Sequence, residues 1–246
     1  MELCAEKIKS LLVTGAEVFV YDTVSSTNLI AQELAEKSDK PVIVAAESQT
    51  DGRGRSGKSF FSPPTGLYFS LVTHPKSDFN SMTTVTCGTA VAVTRAIEKL
   101  TGLHPEIKWV NDIFIDGRKV CGILCRAVGG NGRVNHLVTG VGINISTKDF
   151  PDDIKSTAGS LNRAVDKNIL VAEIANNILS LGGGYMDEYR EKSCVIGKKI
   201  VYYKNSEPFE AQAVGIDDNG GLIVFEGKEK TTLTGGEISV KLKGGI

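Results

Sequence analysis

The chain has 246 residues, 41% of them hydrophobic and 23% charged, with a net charge of −1 and a pI near 6.3. That length suits one large domain, or a medium domain with a small appendix, and the composition supplies a proper core. A globally basic nucleic-acid-binding protein is excluded by the charge, and no apolar run approaches the ~20 residues that a membrane span needs.

The N-terminus, "MELCAEKIKSLLVTG", carries acidic residues and no signal-peptide core, so a cytoplasmic location is expected. Residues 18–21 read as a strand. Ser or Thr at 25–27 then caps a helix whose apolar positions are Leu29, Ile30, Leu34 and Ala35. Residues 41–47 form a short buried strand, followed by the Gly-rich stretch "SQTDGRGRSGKSFFSPPTGLYFS" that carries Arg53, Arg55 and Lys58. "GLYFSLVT" is a strand again, and residues 81–100 form a helix with Val85, Ala92, Ala96 and Leu100 on one face. Successive antiparallel strands run from Ile107 to about Ser146, with turns at Asp116-Gly117 and at residues 129–132. A helix is expected over 168–189, weakened by glycines at 182–184. From Cys194 the texture becomes short strands with turns at Asp218-Asn219-Gly220 and Gly235-Gly236. It reads as a small all-β appendix, a five-stranded barrel of SH3 type, with a boundary near 190–194.

The five cysteines form no C-x-x-C pair and the three histidines are scattered, so structural thiols in a reducing compartment are expected rather than a metal site. Four segments carry candidate chemistry. Ser26-Thr27-Asn28 sits at a helix start, where free N–H groups and hydroxyls cradle polar ligands, although the same residues serve as a plain N-cap. The cationic loop around Gly52, Gly54 and Gly57 follows a buried strand. It matches no phosphate-loop signature, and its G-x-G-x-x-G spacing is not followed by a helix, so dinucleotide binding is not expected. "KWVND" places the single tryptophan, Trp109, beside Lys108, Asn111 and Asp112, and core packing of that indole is the plain alternative. Lys119 follows the Asp116-Gly117 hairpin, a place where solvated lysines are common.

In this order the segments "SSTN", "AESQTDGRGRSGKSFFSP", "KWVND", "GRKVCGIL" and "GVGINIS" resemble the biotin protein ligase family over residues 20–146, and the C-terminal β appendix resembles that family's small final domain. The implied fold is α+β: a mixed, mostly antiparallel sheet flanked by helices, similar to class II aminoacyl-tRNA synthetase and biotin ligase catalytic domains. It would span residues 1–192, with an SH3-like β-barrel over 193–246. The implied activity is formation of biotinyl-5′-AMP from biotin and MgATP, then transfer of biotin to a lysine of a carboxylase's biotin carboxyl carrier domain.

By the same resemblance Lys119, Arg55 and Asp112 are the catalytic residues. Lys119 would be the main cation on the biotin carboxylate and the phosphoryl group, and Asp112 would orient or deprotonate the acceptor amine. Ser26, Thr27, Asn28, Gln49, Arg53, Gly54, Arg55, Lys119 and Gly122 are expected at biotin, walled by Trp109, Ile123 and Leu124. Arg53, Arg55, Lys58, Phe60, Trp109, Asn111 and Lys119 are expected at ATP. Magnesium is expected to be held by phosphates and water without a protein cage. Departures from the family pattern are Val110 in place of proline, Phe60 in place of tryptophan, and Arg126 in place of an acidic residue. Only residues 1–24 precede "SSTN", so the short form without a DNA-binding winged helix or repressor function is expected, as a monomer or homodimer. A lipoate-protein ligase-type acyltransferase and a non-catalytic biotin-binding module are the alternative readings.

Overall fold

The computed structural model describes residues 2–75, 82–130, 133–204, 207–234 and 239–242. Ser81, Gly235 and Gly236, and Asn131 and Gly132 of the turn expected at 129–132, lie outside the described residues.

In chain order the elements begin with α1 (Ala5–Leu11), β1 (Glu17–Val24), α2 (Thr27–Ala35), β2 (Val42–Gln49), β3 (Gly66–Thr73) and α3 (Met82–Thr101). Strands β4 (Glu106–Lys108), β5 (Asp112–Ile115), β6 (Arg118–Gly130) and β7 (Arg133–Asn144) follow, then α4 (Lys167–Leu179) and α5 (Tyr185–Glu191). The chain continues through β8 (Lys199–Lys204), β9 (Glu207–Ile216), β10 (Leu222–Glu226), β11 (Glu229–Leu233) and β12 (Ser239–Leu242). The helix expected over 168–189 is two helices. Gly184, at φ 88°, takes a left-handed conformation that ordinary residues avoid, and α5 starts from it.

Seven strands form one mixed sheet in the order β1-β2-β3-β7-β6-β5-β4, and only β1 and β2 are parallel. The period-2 alternation of these strands gives the sheet two different faces. One face presents Ile43, Leu67, Phe69, Ile123, Ile143 and their neighbours to α1, α3, α4 and α5, forming the main core. The other face is only partly covered. There α2 sets Ala31 and Ala35 on Val42, Val44, Val72 and Val138, and among the described residues no helix covers β5, β6 and the end of β7 on this face. The uncovered part holds the candidate site.

A separate antiparallel sheet runs in the order β11-β10-β9-β8-β12, and its Leu222 and Val224 belong to the main core cluster. Trp109 Nε1 donates to the Gly220 carbonyl at 2.8 Å, and Arg190 donates to the Ile216 carbonyl at 2.7 Å while pairing with Asp218. The β9–β10 turn is thereby tied to the segment that leads into β5. All five cysteines are free thiols. Among the described residues no helix is long and apolar enough to cross a membrane.

Candidate functional site

The Asp116-Gly117 turn adopts positive φ at both residues (50° and 73°), the pattern of a tight two-residue hairpin, and it folds β6 back on β5. Asp112 pairs with Gly122 and Ile113 with Cys121, but Phe114 pairs with Lys119, so Val120 is an extra residue. This bulge decides the site. Lys119 and Gly122 are three apart and in an unbroken strand would point to opposite faces. The inserted residue turns Lys119 onto the face of Asp112 and Gly122. Lys119 Nζ then lies 2.7 Å from Asp112 Oδ1. The Asp112 Oδ1 is buried and its contact with Lys119 is an ion pair without hydrogen-bond alignment. The Lys119 backbone is clamped as well, donating to Thr157 O and accepting from Gly159 N.

Beside this pair the sheet face has a trough. Gly122 on β6 opposes Gly142 on β7, and Gly140 shares their face two residues further along. The Phe60 ring lies in it: a Cβ at Gly142 would stand 2.6 Å from Phe60 Cε1, and one at Gly122 3.0 Å from Cε2. The Asn28 amide rests on Gly140 in the same way. Gly122 was expected to admit a ligand to the strand, and here the phenyl ring uses that room.

At the other end of the trough the α2 N-terminus supplies polar groups. The Thr27 N–H and hydroxyl both donate to Gln49 Oε1, at 2.9 and 3.2 Å. Gln49 Nε2 donates to Ser62 Oγ at 2.9 Å. The fully buried Ser70 hydroxyl bridges Thr27 Oγ1 and Asn28 Oδ1. Ser26 is the N-cap residue of α2 by position, yet its side chain makes no cap bond. Ser26, Thr27 and Asn28 are nevertheless buried at the cleft wall, where N–H and hydroxyl groups suit a neutral polar ligand.

The Gly-rich segment arches over the cleft from both ends. Asp51 N donates to Ser25 O, Gln49 N to Ser62 O, and Tyr68 Oη to Pro63 O. Between them Arg53 and Ser59 form an isolated bridge, and the tip turns through Ser56 and Gly57 at positive φ. Arg55 reaches inward and donates to Asn111 Oδ1 at 3.0 Å, while Asn111 Nδ2 holds the Ile123 carbonyl. Burial pulls the Arg55 guanidinium below its usual pKa, against the opposing effect of Asp112 and Tyr189, and a guanidinium so placed still stays charged. Arg53 instead donates to the exposed Asp51 carboxylate, and Lys58 stands exposed at the rim.

These groups enclose a cavity of about 330 Å³, within the size range of small-ligand pockets. Every residue expected at the site borders it, from Ser26 and Gly54 to Gly122. Its cationic side chains are Arg53, Arg55, Lys58, Lys108 and Lys119, and its only carboxylate among the described residues is Asp112. A chain of net charge −1 thus has a strongly positive cleft, which favours anionic ligands.

The biotin/lipoate A/B protein ligase family model matches residues 20–144, and the biotin protein ligase C-terminal domain model matches residues 195–241. The bifunctional ligase/repressor BirA of Bacillus subtilis is 32% identical over 228 residues, covering 86% of this chain and 70% of that protein. The chain belongs to the biotin protein ligase family. The biotin--[acetyl-CoA-carboxylase] ligase of Paracoccus denitrificans is 25% identical over 217 residues, 81% of this chain and 90% of that one. The Aquifex aeolicus biotin protein ligase in complex with biotin and ATP has the same fold, with a TM-score of 0.78 at 24% identity over 92% of this chain and 99% of that one.

Within this ligase several expectations take a specific form. Trp109 is 4% exposed and commits its N–H to Gly220, so it contributes an edge of the wall from the core instead of an open stacking face. The Trp109–Val110 peptide is cis, and the Val110 carbonyl accepts the Tyr189 hydroxyl at 3.0 Å. Arg126 is exposed on β6, on the same sheet face two residues beyond Leu124. Sequence reasoning named Lys108 in a candidate segment without giving it a ligand role, and it gave none to Gly140, Gly142 and Thr157, all of which border the cleft. The i, i+2 glycines of "GVGINIS" were the available signal, since a strand places such a pair on one face. Thr157 had none, because a loop brings it in.

Proposed function

We propose that this chain activates biotin with ATP to biotinyl-5′-AMP and pyrophosphate, then transfers the biotinyl group to a lysine of a biotin carboxyl carrier domain. The carrying observation is the bulge that brings Lys119 to Asp112 inside a cleft rich in cations. In the first step a biotin carboxylate oxygen bonds to the α-phosphorus, and the bond from that phosphorus to the bridging oxygen breaks. Negative charge moves onto pyrophosphate, and two anions have to be held together while it does. Lys119 supplies a point charge on a clamped strand, and Arg55 a planar fork for oxygens. Arg53, Gly54 and Lys58 close over the phosphates with the loop. Phe60 leaves the glycine trough to cover the adenine, and Asn111 and Trp109 bound that end.

Ser26, Thr27, Asn28 and Gln49 meet the ureido ring, and Gly122 gives the chain of the ligand access to the strand. In the second step the acceptor amine attacks the acyl carbon and AMP leaves. Asp112 orients the amine and takes up its proton. Magnesium, when bound, neutralises the phosphates. Among the described residues no group of three or more His, Cys, Asp or Glu side chains is placed to hold it. An ion coordinated mostly by phosphate and water would need no such group. Residues 1–192 are taken as the catalytic domain and 193–246 as an SH3-type barrel.

The direct test is pyrophosphate release from the purified chain. Release that requires both biotin and ATP supports the reading, whereas biotin binding without release makes the chain a binding module.

A further inference from the structure

The two legs of the Gly-rich segment lose their register where they leave the sheet. The β2–β3 ladder runs from Val42–Val72 to Ala46–Tyr68, a register that would set Gln49 opposite Thr65. Gln49 N donates instead to Ser62 O at 3.1 Å, and Pro63, Pro64 and Thr65 take up the slack. Lys167 spans this break. Its Nζ lies 2.6 Å from Glu47 Oε2 on the outgoing leg and donates to the Pro64 carbonyl, 3.1 Å away, on the return leg. Glu47 Oε1 accepts from Leu3 N at 2.7 Å.

The Lys167 side chain is 14% exposed and that of Glu47 21%. Desolvation offsets much of the attraction in an ion pair so withdrawn from water, which makes it a poor source of stability. Lys167 is also the first residue of α4, where the positive end of the helix dipole disfavours a cation. Its contacts account for it better: one ammonium joins both legs of the segment that carries Arg53 and Arg55. We propose that Lys167 is a positioning residue of the ligase reaction, which fixes the separation of the two legs from α4 and so sets the reach of Arg55 into the cleft. Lys167 does not itself border the cleft, and its assignment rests on the role proposed above for Arg55.

The double variant Glu47→Gln/Lys167→Met of the full chain is the test, because it removes both charges together and leaves no carboxylate unpaired. Its kcat/KM for ATP in pyrophosphate release should fall about tenfold or more, as misplacing a reacting group from a distance does. Lys167→Arg, which keeps the charge and can still reach both oxygens, should stay within about twofold of the parent. In an Arg55→Ala background the double variant should have no further effect, whereas a merely structural role lowers the rate equally in both backgrounds. Amide exchange read by mass spectrometry should quicken over residues 49–62 and stay unchanged in β6 and β7. A parent that releases no pyrophosphate defeats the ligase reading, and exchange over 49–62, which needs no turnover, then decides the anchoring by itself. Unchanged kcat/KM, an equal loss in both backgrounds, or exchange that is unaltered at 49–62 or faster throughout the chain overturns the proposal.

Discussion

At the scale of single residues, Lys119 and Gly142 carry the sharpest expectations. Lys119→Ala removes the cation that faces the reacting carboxylate and phosphate. It should slow adenylate formation by about 10²–10³-fold, as losing a preorganised charge-stabilising group does. The far-UV circular dichroism should be unchanged, because the ion pair with Asp112 is partly exposed and surface-type pairs add little stability. Pyrophosphate release at the unsubstituted rate would remove Lys119 from its role. Gly142→Ala puts a methyl group where the Phe60 ring lies. The substitution should cost about 1–3 kcal/mol in chemical denaturation and raise the KM for biotin. Phe60→Ala combined with it should return the lost stability, since the ring is the obstacle, and a double variant no more stable than Gly142→Ala would contradict that geometry. Lys119, Asp112, Arg55 and Gln49 were legible through the resemblance of their segments to the biotin protein ligase family, since chemistry and spacing alone left Lys119 open to being a solvated lysine. The position of Phe60 in the glycine trough was not legible, because a loop side chain's resting place depends on what the distant strands β6 and β7 leave open.

At the scale of elements, α4 shows how a helix end is tied into the fold. Asp166 caps α4 by accepting from Asn168 N at 2.9 Å, and its carboxylate pairs with Lys7 at 2.6 Å. Burial opposes its ionisation, but Lys7 and the Asn168 donors outweigh burial and hold the carboxyl below its ordinary 3.8. A depressed carboxyl pKa stabilises the fold above the unfolded-state value, and the contribution is lost as pH falls through the folded-state value. Asp166→Ala should therefore cost about 0.5–2 kcal/mol in urea unfolding at pH 7. The gap to the parent should close as the pH falls below 3.8. A gap independent of pH would mean that the charge is irrelevant to the cap. At this scale the strands, the Asp116-Gly117 hairpin and the α2 start follow from periodicity and turn chemistry. The bulge at Val120 does not, because one extra residue leaves no compositional mark, and a regular strand would have faced Lys119 away from Gly122. The break between α4 and α5 was signalled by the glycines at 182–184, which sequence reading took as a weakening and the fold uses as a new start.

At the scale of the whole molecule, the uncovered part of one sheet face becomes a cationic cleft, and helices occupy the other face. The change to a β-rich C-terminus was visible from Cys194 onward in the spacing of its turns. Its attachment was not: the bond from Trp109 to Gly220 joins residues far apart in sequence, and no local pattern announces such a partner. Through it the second sheet holds the start of the segment that carries Asn111 and Asp112. The measurement that bears most directly on the account is mass spectrometry of a biotin carboxyl carrier domain after incubation with this chain, ATP, magnesium and equal amounts of biotin and lipoate. The account predicts one biotinyl group on a single carrier lysine, and loss of that product with the Lys119→Ala variant. A carrier that gains lipoyl groups only, or none while the chain still binds biotin, would contradict it.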